Sequence, residues 1–210
     1  MMQIPRQPLR VHRFALSGHC HRVELLLSLL ELPFEPVEVD LAGGEQRSAR
    51  FLALNPLGQV PVLEDGAFTL ADSNAILVYL ARCYGGARFQ LGSPALEAEQ
   101  QRWFSLAAGA LASGPAAARL HHLFGRSLDI QATRQAAHQL LRMMNAHLTR
   151  REFLLGARLS LADISHYAYT AHAPEGGVWL DDYPALRAWH ARIEGLPGFV
   201  PMPASPRPEA

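Results

Sequence analysis

Between residues 9 and 14 apolar and polar side chains alternate, Leu-Arg-Val-His-Arg-Phe, which is the period of a short strand with one buried face. After the turn at Ser17-Gly18 the period changes. From His19 onward Val23, Leu26, Leu27 and Leu30 recur at i, i+3, i+4 and i+7, predicting an amphipathic helix that stops at Leu32-Pro33, because proline disfavours helical geometry in the residue before it. Phe34 to Asp40 alternates again as a second strand. Gly43-Gly44 breaks the chain, a short helical stretch runs through Phe51 and Leu54, and Asn55-Pro56-Leu57-Gly58 is a strong turn signal. Residues 60–63 and 67–70, separated by Glu64-Asp65-Gly66, predict a β-hairpin. A helix capped by Asp72 or Ser73 follows, with Ile76, Tyr79 and Leu80 on one face. The order is β-α-β-α-β-β-α.

From Tyr84 to Pro94 glycine and proline mark a connection, and every later segment is helical in period, at 94–113, 115–124, 129–149, 160–172 and 183–194. The chain therefore divides into an α/β domain over 1–83, a linker over 84–93 and an all-α domain over 94–200. Four prolines in the tail, 201–210, predict an extended or mobile end.

Composition adds exclusions more than identity. With 210 residues, 49% hydrophobic and 18% charged, and formal net charge zero, the chain has room for two cored domains and no polyanion-binding character, so nucleic acid is not an expected partner. No secretory signal is read in the opening residues. The longest apolar run, Leu25 to Leu30 between Glu24 and Glu31, falls far short of the ~20 residues of a membrane span. Cys20 and Cys83 are too few and too far apart for a disulfide framework, and a reducing cytoplasm fits best.

The segment Asn55-Pro-Leu-Gly-Gln-Val-Pro-Val-Leu-Glu-Asp-Gly66, followed by Leu70-Ala-Asp-Ser-Asn-Ala-Ile-Leu77, resembles the glutathione-binding half of the glutathione transferase family. The resemblance covers nearly the whole chain and implies a thioredoxin-like N-terminal domain with a helical C-terminal one. Taken alone, Val60-Pro61 reads as trans, since only about 5–6% of X-Pro bonds in folded proteins are cis. The family pattern implies cis, with the Val60 backbone pairing like an added strand with the cysteinyl unit of glutathione. By the same resemblance Gln59 reaches the glycyl carboxylate or the γ-glutamyl backbone, and Asp72 and Ser73 take the γ-glutamyl ammonium and carboxylate groups. Gln46 departs from the pattern: serine-type members often carry a histidine there for the glycyl end, and a glutamine can still donate, with a weaker hold expected. Each has a plainer reading too, as a solvated glutamine or a helix cap.

Ser17, between the first strand and the first helix, matches the position of the catalytic hydroxyl in bacterial and other serine-type members of the Theta and Zeta kind, where it hydrogen-bonds the glutathione sulfur. Such a bond favours the thiolate of a group that otherwise titrates near ~8.5. Cys20 is the rival nucleophile, implying a glutathione-dependent disulfide reductase or peroxidase, and a non-catalytic glutathione-binding protein is the third reading. His19, His21, His121 and His122 lack companions at zinc spacing, so no metal is expected. Ser160 and Asp163 form a capping box with Leu159 and Ile164 as an apolar staple. A pocket for a small hydrophobic electrophile is expected from Phe14, Leu16, Trp103, Phe104 and Ala107. The family also implies a homodimer.

Overall fold

The computed structural model describes Pro5 and residues 7–208; the opening residues 1–4, Arg6 and the last two of the predicted tail lie outside that range. Contacts divide it into two units, the chain through Gln90 with Pro197–Pro203, and Leu91–Leu196 with the chain from Ala204.

The first unit is a four-stranded sheet in the order β2-β1-β3-β4, comprising β1 (Leu9–Arg13), β2 (Phe34–Glu38), β3 (Val62–Asp65) and β4 (Phe68–Ala71). β1 pairs parallel to β2 and antiparallel to β3, and β3 pairs antiparallel to β4. Pro36 sits in the edge strand β2, where a missing N–H costs the ladder least. Helices α1 (Gly18–Leu29), α2 (Ala49–Leu54) and α3 (Ser73–Tyr84) complete the unit. α1 carries buried Val23, Leu25, Leu26 and Leu27, all without exposed surface, so this helix is core on most of its circumference and not amphipathic as its stripe of Val23, Leu26, Leu27 and Leu30 suggests. The hairpin lies one to two residues later than its sequence period suggests: Pro61 has no amide to give to a ladder, so β3 starts at Val62.

In the second unit α4 (Pro94–Leu106) does not end where Gly114-Pro115 predicts a break. The helix widens into π-type turns over Ala107–Ala116 and runs on into α5 (Ala117–Phe124), carrying Pro115 inside it. Packing explains the sequence there: a Cβ on Gly114 would lie 2.9 Å from the Ala137 Cα, so only glycine allows this approach to α6 (Ile130–Leu148). α7 (Leu161–Ala171) and α8 (Pro184–Glu194) complete the layer. The capping box of α7 is formed. Asp163, fully buried, accepts hydrogen bonds from Ser160 N and Oγ at 2.9 and 2.6 Å, from Leu154 N at 2.7 Å and from Trp189 Nε1 at 2.8 Å.

The tail has no regular structure, as its prolines suggest, but two of its residues are held: Met202 is only 4% exposed, and Ser205 donates its N–H to Glu175 and accepts from Arg119. Just before it, Val200 O accepts a hydrogen bond from His21.

Candidate active site

The sheet register places the predicted chemistry at one end of the first unit. His12, near the end of β1, stands opposite Val62 at the start of β3, and Val62 stands opposite Ala71 at the end of β4. Ser17 follows β1, Val60-Pro61 precedes β3, and Asp72-Ser73 follows β4, so all three segments leave the sheet at the same end of its strands.

Ser17 is the N-cap of α1. Its Oγ accepts from Cys20 N at 3.3 Å, and its main-chain carbonyl accepts from His21 N at 2.9 Å. As an acceptor the half-buried hydroxyl keeps its own proton to donate. Cys20, one turn on, is fully buried, with Sγ accepting from Phe14 N at 3.4 Å, and burial pushes its thiol up to about 12. A buried thiol raised in that way carries little thiolate at neutral pH, which weighs against Cys20 as the nucleophile of a reductase or peroxidase.

The Val60-Pro61 bond is cis. Asn55, which the sequence suggests only as part of a turn, shapes the loop ahead of it. Buried to 4% exposure, its Nδ2 donates to Gln59 O at 2.7 Å and its Oδ1 accepts from Leu57 N at 3.0 Å. The Gln59 carbonyl and the Val60 N–H share one planar peptide, so tying the carbonyl inward to Asn55 aims the Val60 N–H the opposite way. Gly58 has φ +62°, and a Cβ there would lie 2.8 Å from Gln46 O, which brings the Gln46 turn against this loop. Gln46 itself donates to Leu41 O at 3.3 Å, while the Gln59 side chain is exposed.

Asp72 caps α3, its Oδ1 accepting from Ala75 N at 2.9 Å, and holds φ +75°, a backbone region that only a handful of non-glycine residues adopt. Ser73 is 5% exposed and its Oγ is met from below by α1: Arg22 Nη1 donates at 3.2 Å, and His19 Nδ1 lies 3.3 Å away. Arg22 Nη1 also donates to Asn74 Oδ1 at 2.8 Å. A buried guanidinium under the start of a twelve-residue helix adds to the positive end of its dipole, which suits a carboxylate. Arg22, like Asn55, is not singled out by the sequence, where its one signal is an arginine beside Val23 at the start of the helix's apolar run.

His19 belongs to the same cluster. Burial first, and the Arg22 charge second, push it down to about 3, so it is neutral at ordinary pH. His190, in the second unit, is also lowered to about 3, by burial first and His172 second. Both charge at 6.5 once unfolded, so the unfolded chain binds more protons below that pH and stability falls as the solution is acidified from 6.5 toward 3. Between pH 7.5 and 5.5 each histidine should cost about 1.4 kcal/mol. Urea unfolding at the two pH values measures this; coincident midpoints would contradict it. Among the described residues no three His, Cys, Asp or Glu side chains gather as a metal set.

Of the residues expected for a co-substrate, Phe14 and Leu16 are half-buried. Trp103 and Ala107 have no exposed surface and Phe104 keeps 5%. The Trp103 ring meets those of His147 and His166 edge-on at 5.0 and 5.2 Å, which makes it a core side chain of the helical unit. The aromatic pattern of α4 therefore reports packing.

Two family models match the chain, the glutathione S-transferase N-terminal domain over residues 16–83 and the C-terminal domain over residues 120–197. The chain is 31% identical to glutathione S-transferase 3 of Zea mays over 97% of its own length and 99% of that protein's. A crystal structure of a glutathione S-transferase from Pseudomonas fluorescens superposes with a TM-score of 0.88 at 35% identity, covering 93% of this chain and 99% of that one. A glutathione transferase homologue from Drosophila mojavensis with bound glutathione gives a TM-score of 0.83 at 27% identity, over 90% of this chain and 89% of that one.

Proposed function

Because the chain belongs to the glutathione S-transferase family, we propose that it conjugates the thiolate of glutathione to small hydrophobic electrophiles, with Ser17 as the catalytic hydroxyl. The observation that carries this is the convergence of Ser17, the Val60 backbone and the start of α3 at one end of the sheet, with Arg22 and His19 joining the Ser17 helix to Ser73. Glutathione lies along that end. Its cysteinyl backbone pairs with Val60, held in aim by Asn55 through Gln59. Its γ-glutamyl carboxylate meets the first amide of α3 and the Ser73 hydroxyl, with Asp72 beside the ammonium group. Gln59 and Gln46 serve the glycyl end. The sulfur then faces Ser17, whose O–H stabilises the thiolate, and Phe14 and Leu16 offer apolar surface to the electrophile. No covalent enzyme intermediate is required.

In this reading the protein is a serine-type member working as a homodimer in the cytoplasm. Leu57, Phe68 and Val78 expose 71%, 44% and 38% of their surfaces, and Phe68 packs on Tyr79 with ring centroids 4.7 Å apart, exposed apolar side chains of the kind a partner subunit's helical domain covers. Both cysteines are free, and no helix among the described residues is long and apolar enough to cross a membrane. The direct test is incubation with glutathione and an activated aryl halide. A thioether product and halide release are expected. Retention on immobilised glutathione without turnover would point to a binding protein instead.

A further inference from the structure

α1 is gripped on two opposite faces, and only one of them belongs to the site already described. His19 and Arg22 face the start of α3. His21 and Ser28, two turns apart and so on a common face, are held by the C-terminal segment. Ser28 Oγ donates to Gly198 O at 2.7 Å, and His21, only 3% exposed, bonds Val200 O through Nε2 at 2.8 Å. Gly198 adopts φ +82°, and a Cβ there would lie 3.0 Å from Ser28 O, so the segment lies close against the helix backbone. Past Val200 the chain is anchored by Met202, 4% exposed. Glu24, Ser28, Glu31, Val200 and Pro201 line a shared cleft of about 520 Å³ along this face.

We propose that Pro197–Met202 is a positioning strap for the catalytic serine, acting through His21. The path is two hydrogen bonds long. Val200 O fixes the His21 ring, and the His21 main-chain N–H closes the first turn of α1 onto the Ser17 carbonyl at 2.9 Å. α1 has no acidic residue in its first turn, and its cap bond, Ser17 Oγ to Cys20 N, is long at 3.3 Å. Local capping is therefore weak where the catalytic hydroxyl must be held to a fraction of an ångström. The strap supplies that restraint from the face away from glutathione. It orients Ser17 toward the sulfur and leaves the groups that bind the tripeptide untouched. His21 is a positioning residue, and the inference rests on the Ser17 reading above.

The test uses the full chain carrying His21→Met, which keeps bulk and loses the bond, His21→Gln, whose amide reaches as Nε2 does, and Met202→Ala, which loosens the strap and leaves α1 intact. At a temperature well below unfolding, His21→Met and Met202→Ala should lower kcat about fivefold, the worth of one hydrogen bond in a barrier. They should raise the pKa of the bound thiol in the pH profile, while KM for glutathione and affinity for S-hexylglutathione stay within about twofold of wild type, since those report tripeptide binding rather than thiolate stabilisation. His21→Gln should restore kcat, and amide exchange should quicken over Gly18–Arg22. Wild-type kcat and pH profile in both loosened variants, with Ser17→Ala impaired, would overturn the strap alone. Wild-type turnover by Ser17→Ala would overturn the reading beneath it.

Discussion

Replacing Ser17 with alanine should lower kcat/KM by about 10²-fold, the usual cost of removing one aimed donor from a developing or buried anion. The bound thiol should titrate again near ~8.5, its value without a stabilising partner. Ser17→Thr keeps a hydroxyl and should keep most of the activity. Alanine also removes the N-cap that accepts from Cys20 N, worth about 1 kcal/mol of stability, so the assay belongs well below the unfolding transition. Cys20→Ala is the informative partner. The Cys20 thiol is fully buried and raised to about 12, so its removal should leave turnover near wild type. Parallel steady-state kinetics on the two variants would contradict the account if the cysteine change, and not the serine change, abolished activity.

The largest effect on stability is expected at Asp163. Its two oxygens gather four donors, from Leu154, Ser160 twice and Trp189, at a position with no exposure. Burial pushes the carboxyl up and the four hydrogen bonds pull it back, so the network and not solvent sustains the group. Asp163→Ala would strand those donors and cost about 3–5 kcal/mol. For a chain of this size that is a fall in Tm of roughly 6–20 °C. Asp163→Asn keeps an acceptor for Leu154 and Trp189 but turns an amide toward Ser160, and should lose about half as much. Calorimetry decides. A loss under about 1 kcal/mol for the alanine variant would mean the network is not a folding determinant.

The parts of the fold legible in the sequence are those set by local period and punctuation. The alternation at Leu9–Arg13, the helical period of α1 and the Ser160–Asp163 box need no tertiary information, and the structure shows each, although α1 is buried on most of its circumference and not along one stripe. What the sequence could not show depended on contacts between distant segments. Gly114-Pro115 looks like a helix break because local rules price proline alone, yet packing on Ala137 carries the helix through as a widened turn. The proline-rich tail reads as extended or mobile because its composition offers few apolar groups, and the hold on α1 just ahead of it comes from the Gly198 and Val200 carbonyls, which composition does not report.

The site divides in the same way. Ser17, Val60-Pro61, Asp72 and Ser73 stand out because their motifs are contiguous. Arg22 and Asn55 do not, because each acts on a residue that folding brings to it: Arg22 on Ser73, fifty-one positions away, and Asn55 on the Gln59 carbonyl. A buried polar side chain shows its purpose only once its partner is placed. Trp103 is the reverse case. An aromatic at helical spacing suggests a pocket, and its neighbours His147 and His166 make it core.

A crystal structure with glutathione bound tests the central claim most directly. The account predicts the cysteinyl N–H and C=O paired with the Val60 backbone, the γ-glutamyl carboxylate at the first amide of α3, and the sulfur within ~3.5 Å of Ser17 Oγ, hydrogen-bond distance for a thiolate. Glutathione seated elsewhere, or lying in this groove with its sulfur turned away from Ser17, would contradict it.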